Sequence, residues 1–152
     1  MDLKITPSAG LRGEVRIPPN KSHSFRALIM AGLAEGVSRI TAPAVSADWH
    51  LGVAALEMFG AKVSQYENVW EITGTGGAIR VPDDVIDCGN SGIILRFFMA
   101  LAACCDGYSM ISGDHSIRHI RPCQPLIDAI NALGGWAVST KNDGRAPIVV
   151  KG

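Results

Sequence analysis

The residues best suited to chemistry gather where two helices are expected to begin. In PPNKSHSFR, Pro18 to Arg26, the chain sets Lys21, Ser22 and Arg26 at the start of an apolar helical pattern. Some way on, Gly89-Asn90-Ser91-Gly92 opens a second such pattern, with Arg96 just inside it. A helix N-terminus exposes unpaired N–H groups and the positive end of the dipole, so it accepts anions. The same field disfavours Lys or Arg in a first turn. Lys21, Arg26 and Arg96 are therefore better explained if an anion sits among them, and Arg26 shares a helical face with Ser22 four residues earlier. Taken alone, Ser22 and Asn90 or Ser91 read as N-caps.

A third segment, GDHSIRHIRP from Gly113 to Pro122, supplies Arg118 and Arg121 in what reads as a loop ahead of a Pro-limited turn. Two loop arginines are often merely solvated. Beside two Gly- and Ser-rich helix starts they suit bidentate clamping of phosphate or carboxylate. The summed signal is a site for more than one anionic group. His23, His115 and His119 have no recognisable metal-ligand spacing and read as solvated, although His115 or His119 could face the site.

The bulk composition makes any such site local. The chain has 152 residues, 18% of them charged, and a formal net charge of zero. That suits one globular domain and argues against a nucleic-acid surface held by bulk charge. Four cysteines, Cys88, Cys104, Cys105 and Cys123, form no C-x-x-C pair and read as buried, reduced thiols. The N-terminus has no secretory h-region, and the most apolar run, Ile93 to Cys105, is too short for a bilayer and contains Arg96. The expectation is a cytoplasmic protein with no membrane or nucleic-acid partner.

The elements that position these residues come in duplicate. RALIMAGLAEGVSRIT (Arg26 to Thr41) and RFFMALAACCDGYSMIS (Arg96 to Ser112) both read helix, Gly-containing stop, strand. LEMFGAKVS (Leu56 to Ser64) matches NALGGWAVS (Asn131 to Ser139), and EITGTG (Glu71 to Gly76) matches PIVVKG (Pro147 to Gly152), all at an offset of about 70 to 76 residues. Each half reads helix, strand, helix, strand, strand, and GEVRIP (Gly13 to Pro18) alternates as a strand leading into the first helix. The first helix of each half is apolar nearly all round, which predicts burial on most sides. The fold class is α/β: about two repeated units, with apolar helices inside and sheets outside. The boundaries fall near 14–76 and 78–152. Neither common nucleotide-binding Gly fingerprint follows a strand.

Lys21-Ser22-His23-Ser24-Phe25-Arg26-Ala27-Leu28, then Gly89-Asn90-Ser91-Gly92 with Arg96, then Gly113-Asp114 with Arg121-Pro122 resemble, in that order, the motifs of the EPSP synthases. The resemblance runs from about Leu11 to the end. The related UDP-N-acetylglucosamine enolpyruvyl transferases would carry Lys-Asn at Lys21-Ser22. The resemblance implies transfer of the enolpyruvyl group of phosphoenolpyruvate to the 5-hydroxyl of shikimate 3-phosphate, with release of phosphate and no metal or organic cofactor. By motif match, Lys21, Ser22 and Arg26 hold shikimate 3-phosphate. Lys21 also touches phosphoenolpyruvate and is the catalytic candidate. Asn90, Gly92 and Arg121 hold phosphoenolpyruvate, with Arg96 and Arg118 in support.

The resemblance further implies two domains of three α/β units each, of which this chain supplies the N-terminal portion, with residues 1–13 belonging to the other domain. The proton-handling carboxylates would lie beyond Gly152, so this chain alone is expected to be inactive. Asp48, Asp87 and Asp114 read as caps. Three departures stand out. Ile93 replaces a usual Thr, which should raise tolerance of glyphosate. Phe97 stands where Leu or Pro is common, and Gly113 to Arg121 is one residue long, leaving Arg118 or Arg121 as the phosphoenolpyruvate clamp. A C-terminal half, or self-association through uncovered apolar surface, is the expected partner. The alternatives are a non-catalytic small-anion-binding module and a purely structural α/β repeat.

Overall fold

A computed structural model describes residues 2–152. The first part of the chain runs α1 (Lys21–Leu33), β1 (Val37–Thr41), α2 (Trp49–Met58), β2 (Lys62–Gln65) and β3 (Val69–Thr73). The second runs β4 (Ile86–Asp87), α3 (Gly92–Ala102), β5 (Tyr108–Ser112), α4 (His115–His119), α5 (Gln124–Ala132), β6 (Trp136–Ser139) and β7 (Ile148–Lys151). The sheets repeat one plan. In order β1-β3-β2 and β5-β7-β6, the last strand of each set lies in the middle, antiparallel to both neighbours. The second sheet gains β4 beside β5, in parallel.

Local chemistry explains the breaks. After α2 and α5 the chain turns through Gly60 and Gly134, at φ +110° and +94°, backbone angles that L side chains rarely adopt. In the internal match Gly60 aligns with Gly135, so the second copy makes its turn one residue earlier, at Gly134. Strand burial alternates, as in Tyr108–Ser112 and Val69–Thr73, so each sheet turns one face inward and the other to solvent. On the inward side α1, α2 and α3 pack on one another. Gly52 makes room for the Phe25 ring, and Gly32 for Leu56, bringing α1 and α2 close. Phe25, Trp49 and Trp70 form an aromatic run, while Phe59 stacks on Phe98 at 5.6 Å between ring centroids and joins the two parts of the core.

Four expectations are corrected. Gly13 to Pro18 forms no strand. Val15 and Ile17 are 79% and 78% exposed, and among the described residues no strand pairs with this segment, a neighbour that alternation alone cannot supply. The segment expected as a loop at Arg118 is the short helix α4, capped by Asp114 Oδ1, which accepts from the Ile117 N–H at 3.0 Å. α1 buries Phe25, Leu28, Ile29 and Ala31 but not its whole apolar surface, since Met30 is 71% exposed. Cys104 is exposed, whereas Cys88, Cys105 and Cys123 are buried free thiols.

The Phe59–Phe98 stack gives a direct test of the core. Phe98→Ala should lower the unfolding free energy by about 3–5 kcal/mol, read as a fall in the urea midpoint at unchanged slope.

Candidate functional site

The site is assembled by strand pairing. Because β4 lies parallel to β5, with Asp87 opposite Ser112, the chain leaves both strands at the same end. The Gly89–Gly92 turn and the Gly113–Asp114 turn therefore begin side by side. They are laced by Cys88 N–H to Ser112 O at 2.8 Å and Asp114 N–H to Gly89 O at 2.7 Å. Ser91 caps α3, its hydroxyl accepting from the Ile94 N–H at 3.5 Å. At α1 the cap is Asn20, not Ser22: its Oδ1 accepts from the His23 N–H at 3.0 Å. Ser24, also in the motif, is buried and ties α1 to the following loop, donating to Asn20 O and accepting from the Ala44 N–H.

Lys21, Asn90, Gly92, Arg96 and Arg121 line one cleft of about 290 Å³. Arg26 lies in an adjoining cleft of about 350 Å³ that shares Gly92, Ile93 and Arg96. Its guanidinium donates to Ser22 O at 3.0 Å and sits 5.7 Å from the Phe97 ring centroid. Ser22 and Arg118 line neither cleft. Arg118 donates instead to Asp114 O at 3.2 Å, while Arg121 Nε faces Ser116 Oγ at 3.5 Å. Of the two candidate clamps, Arg121 is in the cleft.

Arg96 spends two guanidinium donors on the backbone, to Gly92 O and Pro122 O, each at 2.9 Å. It thereby pins the turn that carries Arg121 to the first turn of α3. Gly92 makes this possible. A Cβ there would lie 2.6 Å from Arg96 Nη1 and 3.4 Å from Arg121 Nη1.

The residue that sequence reasoning misread is Asp48. It occupies the N-cap position of α2 but makes no capping bond there. Its Oδ2 instead accepts from Lys21 Nζ at 2.7 Å, and its Oδ1 from Ser46 Oγ at 2.8 Å. Burial works to raise this carboxyl, but hydrogen bonds from Lys21, Ser46 and Ser91 outweigh it and hold it at about 2. A group so acidic stays ionised and is poorly suited to carry a proton at neutral pH. Part of the cost of a cation at the mouth of α1 is thus met by a protein carboxylate. Asp87 accepts from the Gly89 N–H at 2.8 Å and stabilises the turn. The signal for Asp48 in the sequence is slight: a Ser two residues earlier and an apolar run after it.

Two other groups stay apart from the clefts. The His115 and His119 rings stack on each other, and among the described residues no cluster of His, Cys, Asp or Glu could hold a metal ion. Burial pushes the Cys88 and Cys123 thiols up, away from nucleophilic use. No helix of the described residues is long and apolar enough to cross a membrane.

Paired helix mouths and four cations around two joined clefts, on a duplicated α/β scaffold, are chemically suited to small anions. The model of one family, EPSP synthase (3-phosphoshikimate 1-carboxyvinyltransferase), matches residues 5–152, so the chain belongs to the EPSP synthase family. It is 49% identical to a 3-phosphoshikimate 1-carboxyvinyltransferase of Acetivibrio thermocellus over the whole chain and 36% of that relative. It is 43% identical to one of Methanothermobacter thermautotrophicus, again over 36% of its length. The chain therefore spans about a third of the length of these curated relatives. An EPSP synthase structure from Acinetobacter baumannii superposes with a TM-score of 0.84 at 22% identity, covering 92% of this chain and 32% of that one, a likeness of fold.

Gly92→Ala tests the arginine arrangement. Alanine should leave stability within about 1 kcal/mol of wild type, because the gain in helix propensity is offset when the Arg96 guanidinium is pushed off the Gly92 and Pro122 carbonyls. Binding of inorganic phosphate, followed by NMR shifts of the Asn90 and Gly92 amides, should weaken.

Proposed function

We propose that this chain is the N-terminal portion of a 3-phosphoshikimate 1-carboxyvinyltransferase. It would supply the anion-binding wall of a site that moves the enolpyruvyl group of phosphoenolpyruvate to the 5-hydroxyl of shikimate 3-phosphate. The observation that carries this reading is the convergence of Lys21, Asn90, Gly92, Arg96 and Arg121 on one cleft. In the reaction the enol carbon takes a proton while the hydroxyl oxygen bonds to the neighbouring carbon. The bond from that carbon to phosphate then breaks, and loss of a proton restores the double bond. Both reactants are anions, so fixed cations lower the cost of holding them together and of the charge that develops on the leaving phosphate.

Lys21 would touch both substrates. Arg26, with Ser22, would hold shikimate 3-phosphate from the adjoining cleft, and Asn90, Gly92 and Arg121 would hold phosphoenolpyruvate. Arg96 acts through the turn it pins, and Arg118, tied to Asp114, has at most a supporting part. Ile93 borders both clefts, which keeps the expectation of glyphosate tolerance within the same reading. Repeat units of about 14–76 and 78–152, residues 1–13 assigned to a second domain, and a cytoplasmic location belong to the proposal as well.

Calorimetric titration with shikimate 3-phosphate tests it. Binding by the wild-type chain, lost in both Lys21→Ala and Arg26→Ala, is the expected result. Absence of binding by a folded wild-type chain overturns the reading.

The proposal also includes a covering partner, either the rest of the enzyme or a second copy. An apolar groove of about 400 Å³ between α3 and α5 supports it, lined by Ala100, Ala103, Cys104, Leu126 and Leu133, the last 89% exposed. The isolated chain should therefore self-associate or melt at low temperature. A monomer by light scattering at high concentration, with a cooperative melt, would count against this.

A further inference from the structure

Lys21 is the residue on which the proposed function leans most, and a lysine is a poor anchor by itself. Its four-carbon stem has many rotamers, and each must be given up when an anion is gripped. The contacts around Lys21 answer that problem. Its ammonium has three donors and gives one to Asp48 Oδ2 at 2.7 Å, leaving two for the cleft. The two partners differ sharply in exposure: the Lys21 side chain is 44% accessible and that of Asp48 only 7%. The carboxylate is thus the buried anchor and the ammonium its open end. Asp48 is itself held from a second direction by Ser46 Oγ. It lines the neighbouring hollow with Gly89 and Asn90, outside the cleft that Lys21 faces.

We propose that Asp48 is a positioning residue, whose buried carboxylate holds the Lys21 ammonium at the mouth of α1 so that it is already aimed when a phosphorylated substrate arrives. The inference rests on the proposed function for the identity of the anion, but not for the positioning itself. It joins the α1 mouth to the start of α2, so the orientation of Lys21 depends on how those two helices pack. It also runs against simple electrostatics. A negative charge beside an anion site should weaken anion binding, and its removal should strengthen it. If Asp48 works by ordering Lys21, its removal has the opposite effect.

The test combines Asp48→Asn, Asp48→Glu and Ser46→Ala with two measurements. The first needs no ligand: proton–carbon NMR of the Lys21 ε-methylene, assigned by its loss in Lys21→Arg. An ordered side chain gives two distinct Hε shifts, which should merge in Asp48→Asn and stay separate in Asp48→Glu. The second is the affinity for shikimate 3-phosphate, expected to fall roughly tenfold in Asp48→Asn and to recover in part in Asp48→Glu. Ser46→Ala changes no charge and should fall between them, which keeps the test alive if Asp48→Asn folds poorly. Distinct Hε shifts that persist in Asp48→Asn, or an affinity that rises there, would overturn the proposal. A wild-type chain that binds no shikimate 3-phosphate overturns the functional reading instead, and the Lys21 signal still decides the role of Asp48.

Discussion

Positive charge placed where helix dipoles are already positive is the constraint to which the rest of this structure answers. Lys21 opens α1, Arg96 lies in the second turn of α3, and Arg121 reaches the same cleft. Left bare, these groups would repel one another and the helix ends. All but Arg121 are instead given a close oxygen, and so is Arg26 beside them. Lys21 has the Asp48 carboxylate, Arg26 the Ser22 carbonyl, and Arg96 the carbonyls of Gly92 and Pro122. Only one of these acceptors carries a full charge, so most of the positive potential remains available to an incoming anion.

The scaffold exists to bring these groups to one place. They come from three stretches of chain, around residues 21, 90 and 121, and no local rule makes them neighbours. Packing of α1 against α3 brings the first two together. The parallel pairing of β4 and β5, only two residues long, brings the second and third together by sending both following turns from the same sheet end. The short strand suffices because Ile86, Cys88, Ile111 and Ile117 are buried around it, and the Gly89–Asp114 bond locks the turns.

Much of this is legible in the sequence because it is written twice. The helix, Gly stop and strand landmarks of the two halves match, and the structure repeats one sheet order from them. Helix starts with misplaced cations are visible for the same reason, since charge and dipole can be weighed residue by residue. What fails is whatever depends on a partner elsewhere in the chain. The Gly13–Pro18 alternation has the right period, but period does not supply a neighbouring strand. Asp48 has the look of a cap, and nothing near it in sequence reveals that Lys21, 27 residues earlier, takes its carboxylate. The ambiguity between Arg118 and Arg121 is of the same kind. Three residues apart, they differ only once α4 forms and turns one of them away.

Arg96 and Arg121 show how the two kinds of information combine. Both are arginines beside Gly92, and charge alone would give them the same task. Arg96 has committed two donors to carbonyl oxygens, one at each end of the bridge it makes, so gripping a ligand with them would release the Pro122 turn. Arg121, held only by a long contact to Ser116, can turn toward a ligand without breaking a strong bond. An anion in this cleft would therefore meet a rigid arginine that shapes the wall and a mobile one that closes on it. That division of labour depends on Gly92, because any side chain there would strike the first and crowd the second.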